Sequence, residues 1–409
     1  MSKLIIQNGN MCELDLPLKF AQKLYNEFAI RHPNAFYLRT RQRGMQNWDG
    51  KIHYITKTGQ FKIGLLPKVY DMCIEMGIKP KVVDMRQPLP KVSKVVTNIG
   101  KYKLRPEQEK AVKAVINNKI GNTPFHIGVL DYTVNAGKTL IMSSLYLSYK
   151  KQLKTLLITN DSDWLNQARE EFKQYLPGED ITFVQGKVLN WSNFTIGMVQ
   201  SISRNMRFYQ KELSQIDMVL VDEADQGGSK QYQNVITRLF NTRIRIGLSG
   251  TIYMSKLAKD KVKNMNLECF FGKVIAEFKL KDSIKKGYST KTVVKMVPGK
   301  PWYGNWESDC ISYKEIYDDS ITNCYTAWLM AYNRLLWNLN QGRYPALVVC
   351  KHIAHCENLY KFFKKKLGDA YNIAYVHVNT PSKLRQQIMK DFREGKIDIL
   401  VSTTIIARG

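Results

Sequence analysis

The feature that most constrains this 409-residue chain is a rhythm of short apolar runs separated by helix-length stretches. Ile127 to Leu130, Thr155 to Thr159, Phe194 to Val199, Met218 to Val221 and Arg245 to Leu248 form a first series. Each run is too short for a buried helix and lacks the polar alternation of a strand with one wet face. Such runs read as strands covered on both sides, the habit of parallel sheets flanked by helices. Thr292 to Val297, Ala346 to Cys350, Ile373 to His377 and Ile399 to Ser402 form a second series, and an aromatic-rich helical region covers Tyr313 to Asn340. The predicted fold class is α/β with parallel sheets.

Residues 1–95 follow a different pattern. Leu16 to Phe28 has helical apolar spacing, Lys51 to Ile55 alternates, and Thr58-Gly59 marks a turn before Gly64-Leu65-Leu66. This predicts a small α+β unit. The proline-bearing stretch Pro80 to Val96 reads as an extended linker.

Sixty-two Lys and Arg against 35 Asp and Glu leave a formal net charge of +27, which favours a polyanionic partner such as nucleic acid. The N-terminal unit carries Arg39, Arg41, Arg43, Lys51, Lys57 and Lys62 among Phe36, Tyr37, Trp48 and Tyr54. Basic groups neutralise phosphates and aromatics stack on unpaired bases. Trp48 and Tyr54 equally suit the core of so small a unit, and Trp48 is assigned there. Arg41 and Arg43 are assigned to nucleic acid.

No apolar stretch reaches the length of a membrane span. Met1 to Asp15 turns polar too soon for a secretory leader, and the seven cysteines are scattered, as expected of reduced thiols in a cytoplasmic protein. Cys350, His352, His355 and Cys356 crowd together at a strand end, too tightly to surround one tetrahedral zinc ion, and are read as packing and loop residues.

The chemistry concentrates in two segments. Asn135-Ala136-Gly137-Lys138-Thr139 follows an apolar run and opens a helical stretch. Backbone N–H groups at such a turn hold phosphate oxygens, Lys138 reaches the β- and γ-phosphates, and the Thr139 hydroxyl binds Mg²⁺. The usual first glycine is replaced by Tyr132. Met218 to Val221 then runs into Asp222-Glu223-Ala224-Asp225. Asp222 suits Mg²⁺, and Glu223 suits the role of base toward the attacking water. The two together predict a site that hydrolyses a nucleoside triphosphate. Ser249 and Thr251 close a later strand and are placed near the γ-phosphate. Arg105 and Gln108 precede the first helix of the lobe, where the Gln108 amide could pair with an adenine edge.

In order, Gln108, the Gly-Lys-Thr loop, Asp222 to Asp225 and Ser249-Gly250-Thr251 resemble motifs of the superfamily 2 helicases, as do Val348 to His352 and Leu400 to Thr404 further on. Asn47-Trp48-Asp49-Gly50-Lys51-Ile52 and Lys351 to His355 extend the resemblance to the UvsW-like phage helicases of branched DNA. The literal Asp-Glu-Ala-Asp also fits the RNA-directed DEAD-box group, although Val134-Asn135 and Ser249-Gly250-Thr251 depart from that group's patterns. The resemblance implies two RecA-like lobes, over 96–282 and 283–409, preceded by a DNA-engaging N-terminal domain over 1–95. It implies a monomer that uses ATP and Mg²⁺ on DNA. By correspondence of motifs, the nucleic-acid positions are Asn160, Leu165, Gln167, Gln200, Ser201, Lys351, His352 and Thr403. It also implies a later motif with an arginine that reaches the γ-phosphate. No Gly-Arg pair follows Lys351. The second lobe is therefore expected to be C-terminally incomplete, with a sheet edge at Ile399 to Ser402, Arg408 facing DNA or the other lobe, and weak hydrolysis. A rival from another class is a DNA-binding module that uses ATP only as a switch.

Overall fold

The computed structural model describes residues 2–41, 45, 47–149, 152–186, 188–253, 260–291, 293–296 and 312–406. The assignments at Arg43 and at Ala407 to Gly409 lie outside these residues. The chain divides into two compact units, Met1–Lys291 and Thr292–Gly409.

The first unit is built on an eight-stranded sheet. Its order is Val188–Leu189, Ile181–Gln185, Phe194–Met198, Thr155–Thr159, Met218–Asp222, Ile244–Ser249, His126–Tyr132 and Val274–Phe278. All neighbours are parallel except the Val188–Leu189 edge. The continuous apolar runs have a simple cause. Ile127, Val129, Leu156, Ile158, Val219 and Val221 pack into one core. The intervening Leu130, Leu157, Met218 and Leu220 pack into a second. Neither face meets water, so both phases of the strand period must be apolar.

The second core is closed by the helices Pro106–Ile116 and Lys138–Ser148. The first is closed partly by residues 1–95. Gln60–Lys62, Met11–Asp15, Lys3–Ile6 and Lys81–Asp84 form a four-stranded sheet, and Leu4, Ile6, Phe61 and Ile63 share a core with the main sheet. The expected linker is thus partly a strand: Lys81–Asp84 pairs parallel to Lys3–Ile6. Arg86 then donates to the carbonyls of Thr242 and Arg243.

Two contacts seal this seam. Arg245 is fully buried, and its guanidinium donates to the Gly9 carbonyl at 2.6 Å, Asn10 Oδ1 at 2.7 Å and the Phe270 carbonyl at 3.2 Å. Gly64 lies against the helix Lys261–Phe271, where an added Cβ would stand 2.1 Å from the Glu268 carbonyl oxygen. That obstacle is backbone, so Gly64→Ala is expected to destabilise the first unit by about 1–3 kcal/mol, the usual range for overpacking. Urea unfolding of the variant beside the parent measures it, and an unchanged midpoint would show that the two parts are not packed this closely.

The second unit has a three-stranded parallel sheet ordered Ala346–Cys350, Ile399–Thr403, Ile373–Val376. Ile399–Thr403 lies in the middle, so the expected edge at Ile399 to Ser402 is corrected: its backbone is paired on both sides. The helices Tyr325–Asn340 and Ile353–Leu367 pack one face through Leu335, Leu339, Leu359 and Phe363. Cys356 sits in this core with its thiol toward the carbonyls of Val376 and Val401. The expected strand Thr292 to Val297 is not formed over its described residues 293–296, where Val293, Val294 and Met296 are exposed. Among the described residues no helix is long and apolar enough to cross a membrane.

Candidate functional site

Because the strands are parallel, their carboxyl ends gather at one edge, where open α/β sheets bind ligands. The His126–Tyr132 strand delivers the phosphate loop there, and the Met218–Asp222 strand delivers Asp222. The loop turns through left-handed backbone at Asn135, with φ 61°, and at Gly137, with φ 72°. Asparagine tolerates that conformation better than most residues. Gly137 is required twice, since an added Cβ would also stand 2.3 Å from Gln108 Nε2.

Asn135, Ala136, Gly137, Lys138, Thr139 and Asp222 line one cavity of about 300 Å³. Lys138 Nζ stands 3.4 Å from Asp222 Oδ1. That oxygen is buried and accepts no hydrogen bond. Burial raises the Asp222 pKa and the Lys138 charge pulls it back. A buried carboxylate oxygen whose protein partner is the Lys138 ammonium alone, in one cavity with a hydroxyl at a helix start, suits a hard cation, so Asp222 and Thr139 fit Mg²⁺ carried with a nucleotide. Glu223 follows at φ 52°. Its carboxyl is pushed up, first by burial and then by the charges of Asp222, Asp225 and Asp161. A raised carboxylate is a better proton acceptor, as a base toward water requires.

The remaining nucleotide candidates are placed differently from expectation. Gln108 is 1% exposed. Its amide donates to the Ala136 carbonyl at 2.8 Å and accepts from the Arg105 backbone at 2.9 Å. In this structure it braces the phosphate loop and does not present a free edge to adenine. The Arg105 guanidinium stacks on Tyr288 at 4.1 Å and leaves Nη1 without a protein partner. Ser249 donates to Asp225 Oδ1 at 3.0 Å and accepts from the Thr251 backbone at 3.1 Å. Ser249 therefore supports Asp225, and neither Ser249 nor Thr251 lines the phosphate cavity. Trp164, Glu171 and Tyr175 complete that cavity and were missed in the sequence. They share one face of the helix Ser162–Tyr175, a helical spacing that was legible but had no motif attached to it.

Trp164 gives a direct reporter. Nucleotide binding is expected to change tryptophan emission, and Trp164→Phe to abolish the change. A full signal in that variant would place the nucleotide elsewhere.

The nucleic-acid candidates separate into groups. Asn160 and Gln200 meet, with the Gln200 amide donating to the Asn160 carbonyl at 3.2 Å, and each keeps a buried amide oxygen without a partner. Gln167 is exposed and donates to Glu171. Leu165 is corrected: it is 2% exposed in the second core, so its side chain packs and cannot meet a strand. Ser201 is buried and caps the Gly186 N–H. In the second unit, Lys351 Nζ lies 4.1 Å over the Tyr313 ring, and His352 contacts Tyr317 edge-on. Thr403 ends the central strand and is 7% exposed. Arg41 is exposed and stacks over Tyr37 at 4.9 Å.

The chain matches two families in succession: "Type III restriction enzyme, res subunit" over residues 101–254 and "Helicase conserved C-terminal domain" over residues 329–409. Among curated proteins it is similar to the ATP-dependent RNA helicase RhlB of Shewanella woodyi, at 36% identity over 78 residues, 19% of this chain and 17% of that protein. RhlB of Shewanella sp. strain ANA-3 is 35% identical over the same length. The chain thus spans about a sixth of these relatives. Among solved structures it is similar to the UvsW helicase of bacteriophage T4, at TM-score 0.54 and 20% identity, covering 68% of this chain and 99% of that one. A second T4 UvsW structure covers 100% of this chain and 81% of that one, at TM-score 0.53 and 19% identity. At such identity the likeness concerns the fold, two RecA-like α/β lobes with a small N-terminal sheet. With these two family models matched in order and the phosphate loop sharing one cavity with Asp222, residues 101–254 and 329–409 are identified as the two domains of a superfamily 2 helicase.

Proposed function

We propose that this protein is an ATP-dependent DNA helicase or translocase that remodels branched DNA. The observation that carries the ATP part is the shared cavity of Lys138, Thr139 and Asp222 beside a Glu223 whose pKa is raised. Lys138 would stabilise phosphate charge, Thr139 and Asp222 would hold Mg²⁺, and Glu223 would take the proton of the attacking water. Support for DNA comes from the N-terminal part. A T4 UvsW structure matches along the whole chain, residues 1–95 included. In that part Phe36 is 80% and Tyr37 53% exposed beside Arg39 and Arg41, a surface suited to phosphates and unpaired bases.

The second reading is an RNA helicase, favoured by the 78-residue likeness to RhlB. ATP turnover with single-stranded DNA, a four-way DNA junction and single-stranded RNA separates the two. The DNA reading expects the junction to stimulate most. Stimulation by RNA alone would replace it with the second reading, and stimulation by none would leave a nucleotide switch.

A further inference from the structure

A cavity of about 410 Å³ lies outside every motif position named above. Arg204, Arg207 and Arg238 line it together with Phe208, Gln210 and Asn234, and no acidic residue does. Among the described residues none of the three arginines has an ion-pair partner, whereas Arg86 and Arg243 are each paired with an aspartate. Three guanidinium groups facing one hollow repel one another, and an anion relieves that repulsion. Phe208 is 79% exposed beside them. A large aromatic left in water among arginines has the composition of a stacking platform on a phosphate track.

The position of the cavity strengthens this. Arg204 ends the helix Val199–Arg204, whose second residue, Gln200, is bonded to Asn160. Arg238 is presented by a segment pinned from the other side: Asn10 donates to the Thr237 carbonyl at 3.1 Å and Gly9 N–H donates to the Phe240 carbonyl at 2.6 Å. The hollow is thus linked through one short helix to Gln200 and Asn160, and through the Thr237–Phe240 segment to the N-terminal part.

We propose that this cavity is a further nucleic-acid site, holding the phosphates of a single strand on Arg204, Arg207 and Arg238 with one unpaired base stacked on Phe208. It rests on the nucleic-acid reading and extends it to residues outside the motifs. A single strand is chosen over a duplex because only an unstacked base offers its face to a phenyl ring.

The test is anisotropy of a labelled oligothymidine over a salt series, with melting curves as the folding control. The triple variant Arg204→Ala, Arg207→Ala, Arg238→Ala is expected to reduce the salt slope by about 2, at roughly 0.7 per phosphate contact for single strands. Phe208→Ala is expected to weaken the oligothymidine by about 5- to 100-fold, as loss of a stacked base does, while leaving a blunt duplex unaffected. Parent-like affinity and slope in folded variants would overturn this site while leaving the general reading intact. A parent that does not bind oligothymidine would overturn both.

A separate observation carries a second inference. The Glu223 carboxylate accepts from the Gln226 amide at 3.3 Å, and the Gln226 carbonyl oxygen accepts from the Asn160 side chain. The Asn160 backbone carbonyl in turn accepts from Gln200 at 3.2 Å. The structure assigns Gln226 as a positioning residue that ties the orientation of Glu223 to two nucleic-acid positions. In Gln226→Leu the ratio of DNA-stimulated to basal turnover is expected to fall toward one, with the KM for ATP and the oligothymidine affinity unchanged. A retained ratio would overturn the relay, as would a parent that no nucleic acid stimulates.

Discussion

Lys138→Ala is expected to lower ATP turnover by about 10²- to 10³-fold, the range seen when one donor to developing phosphate or oxyanion charge is removed. The structure adds a second cause of the loss. Lys138 is the cation nearest the buried Asp222, at 3.4 Å, and its charge opposes the burial that raises the Asp222 pKa. Without it the carboxylate is driven further toward its neutral form, which holds Mg²⁺ poorly. Turnover should therefore fall together with Mg²⁺ affinity, and added Mg²⁺ should recover only part of it. Steady-state turnover across a Mg²⁺ titration measures both. Normal turnover in a folded variant would remove the phosphate-loop assignment.

Glu223→Gln should leave ATP bound and lower hydrolysis by about 10²- to 10⁴-fold, the usual contribution of a positioned base. The substitution keeps the side-chain length and still accepts from Gln226, so the cavity should persist. A pH signature accompanies it. Burial and the nearby Asp222, Asp225 and Asp161 raise the Glu223 pKa above its ordinary 4.5. Below the raised value the group is protonated and cannot act as base, so turnover should fall with decreasing pH at a midpoint above 4.5. The variant should lack that limb. Bound-nucleotide assays beside pH–rate profiles of parent and variant give both results. If the acidic limb is the same in each, another group takes the proton.

The two predictions differ in how much of them was legible beforehand. Lys138 and Asp222 were legible because phosphate and Mg²⁺ dictate residue types at strand ends, and strand ends show in a sequence as the end of an apolar run. The orientation of Glu223 was not, because Gln226 and Asn160 act through amides whose partners no spacing rule names. Gln108 illustrates the same limit. Its residue type suits an adenine edge, yet its amide is bonded to the loop 28 residues on. Leu165 matched a motif by position, but position says nothing of which helix face the core covers.

The sequence by itself determined the α/β class, the first series of strands and all of the second but Thr292 to Val297, the phosphate loop and its acidic partner. Each of these depends on local chemistry: apolar runs bury, glycine admits left-handed backbone, and hydroxyl and carboxylate oxygens suit Mg²⁺. Only the tertiary structure decided that residues 1–95 close one face of the main sheet. That arrangement depends on the buried Arg245 meeting Gly9, 236 residues away, and on a glycine at 64 thin enough to touch the Glu268 backbone. The same holds for Arg204 and Arg207, which share one hollow with the distant Arg238 only after folding. Contacts between distant residues carry no periodicity along the chain, and so they become visible only when packing brings them together.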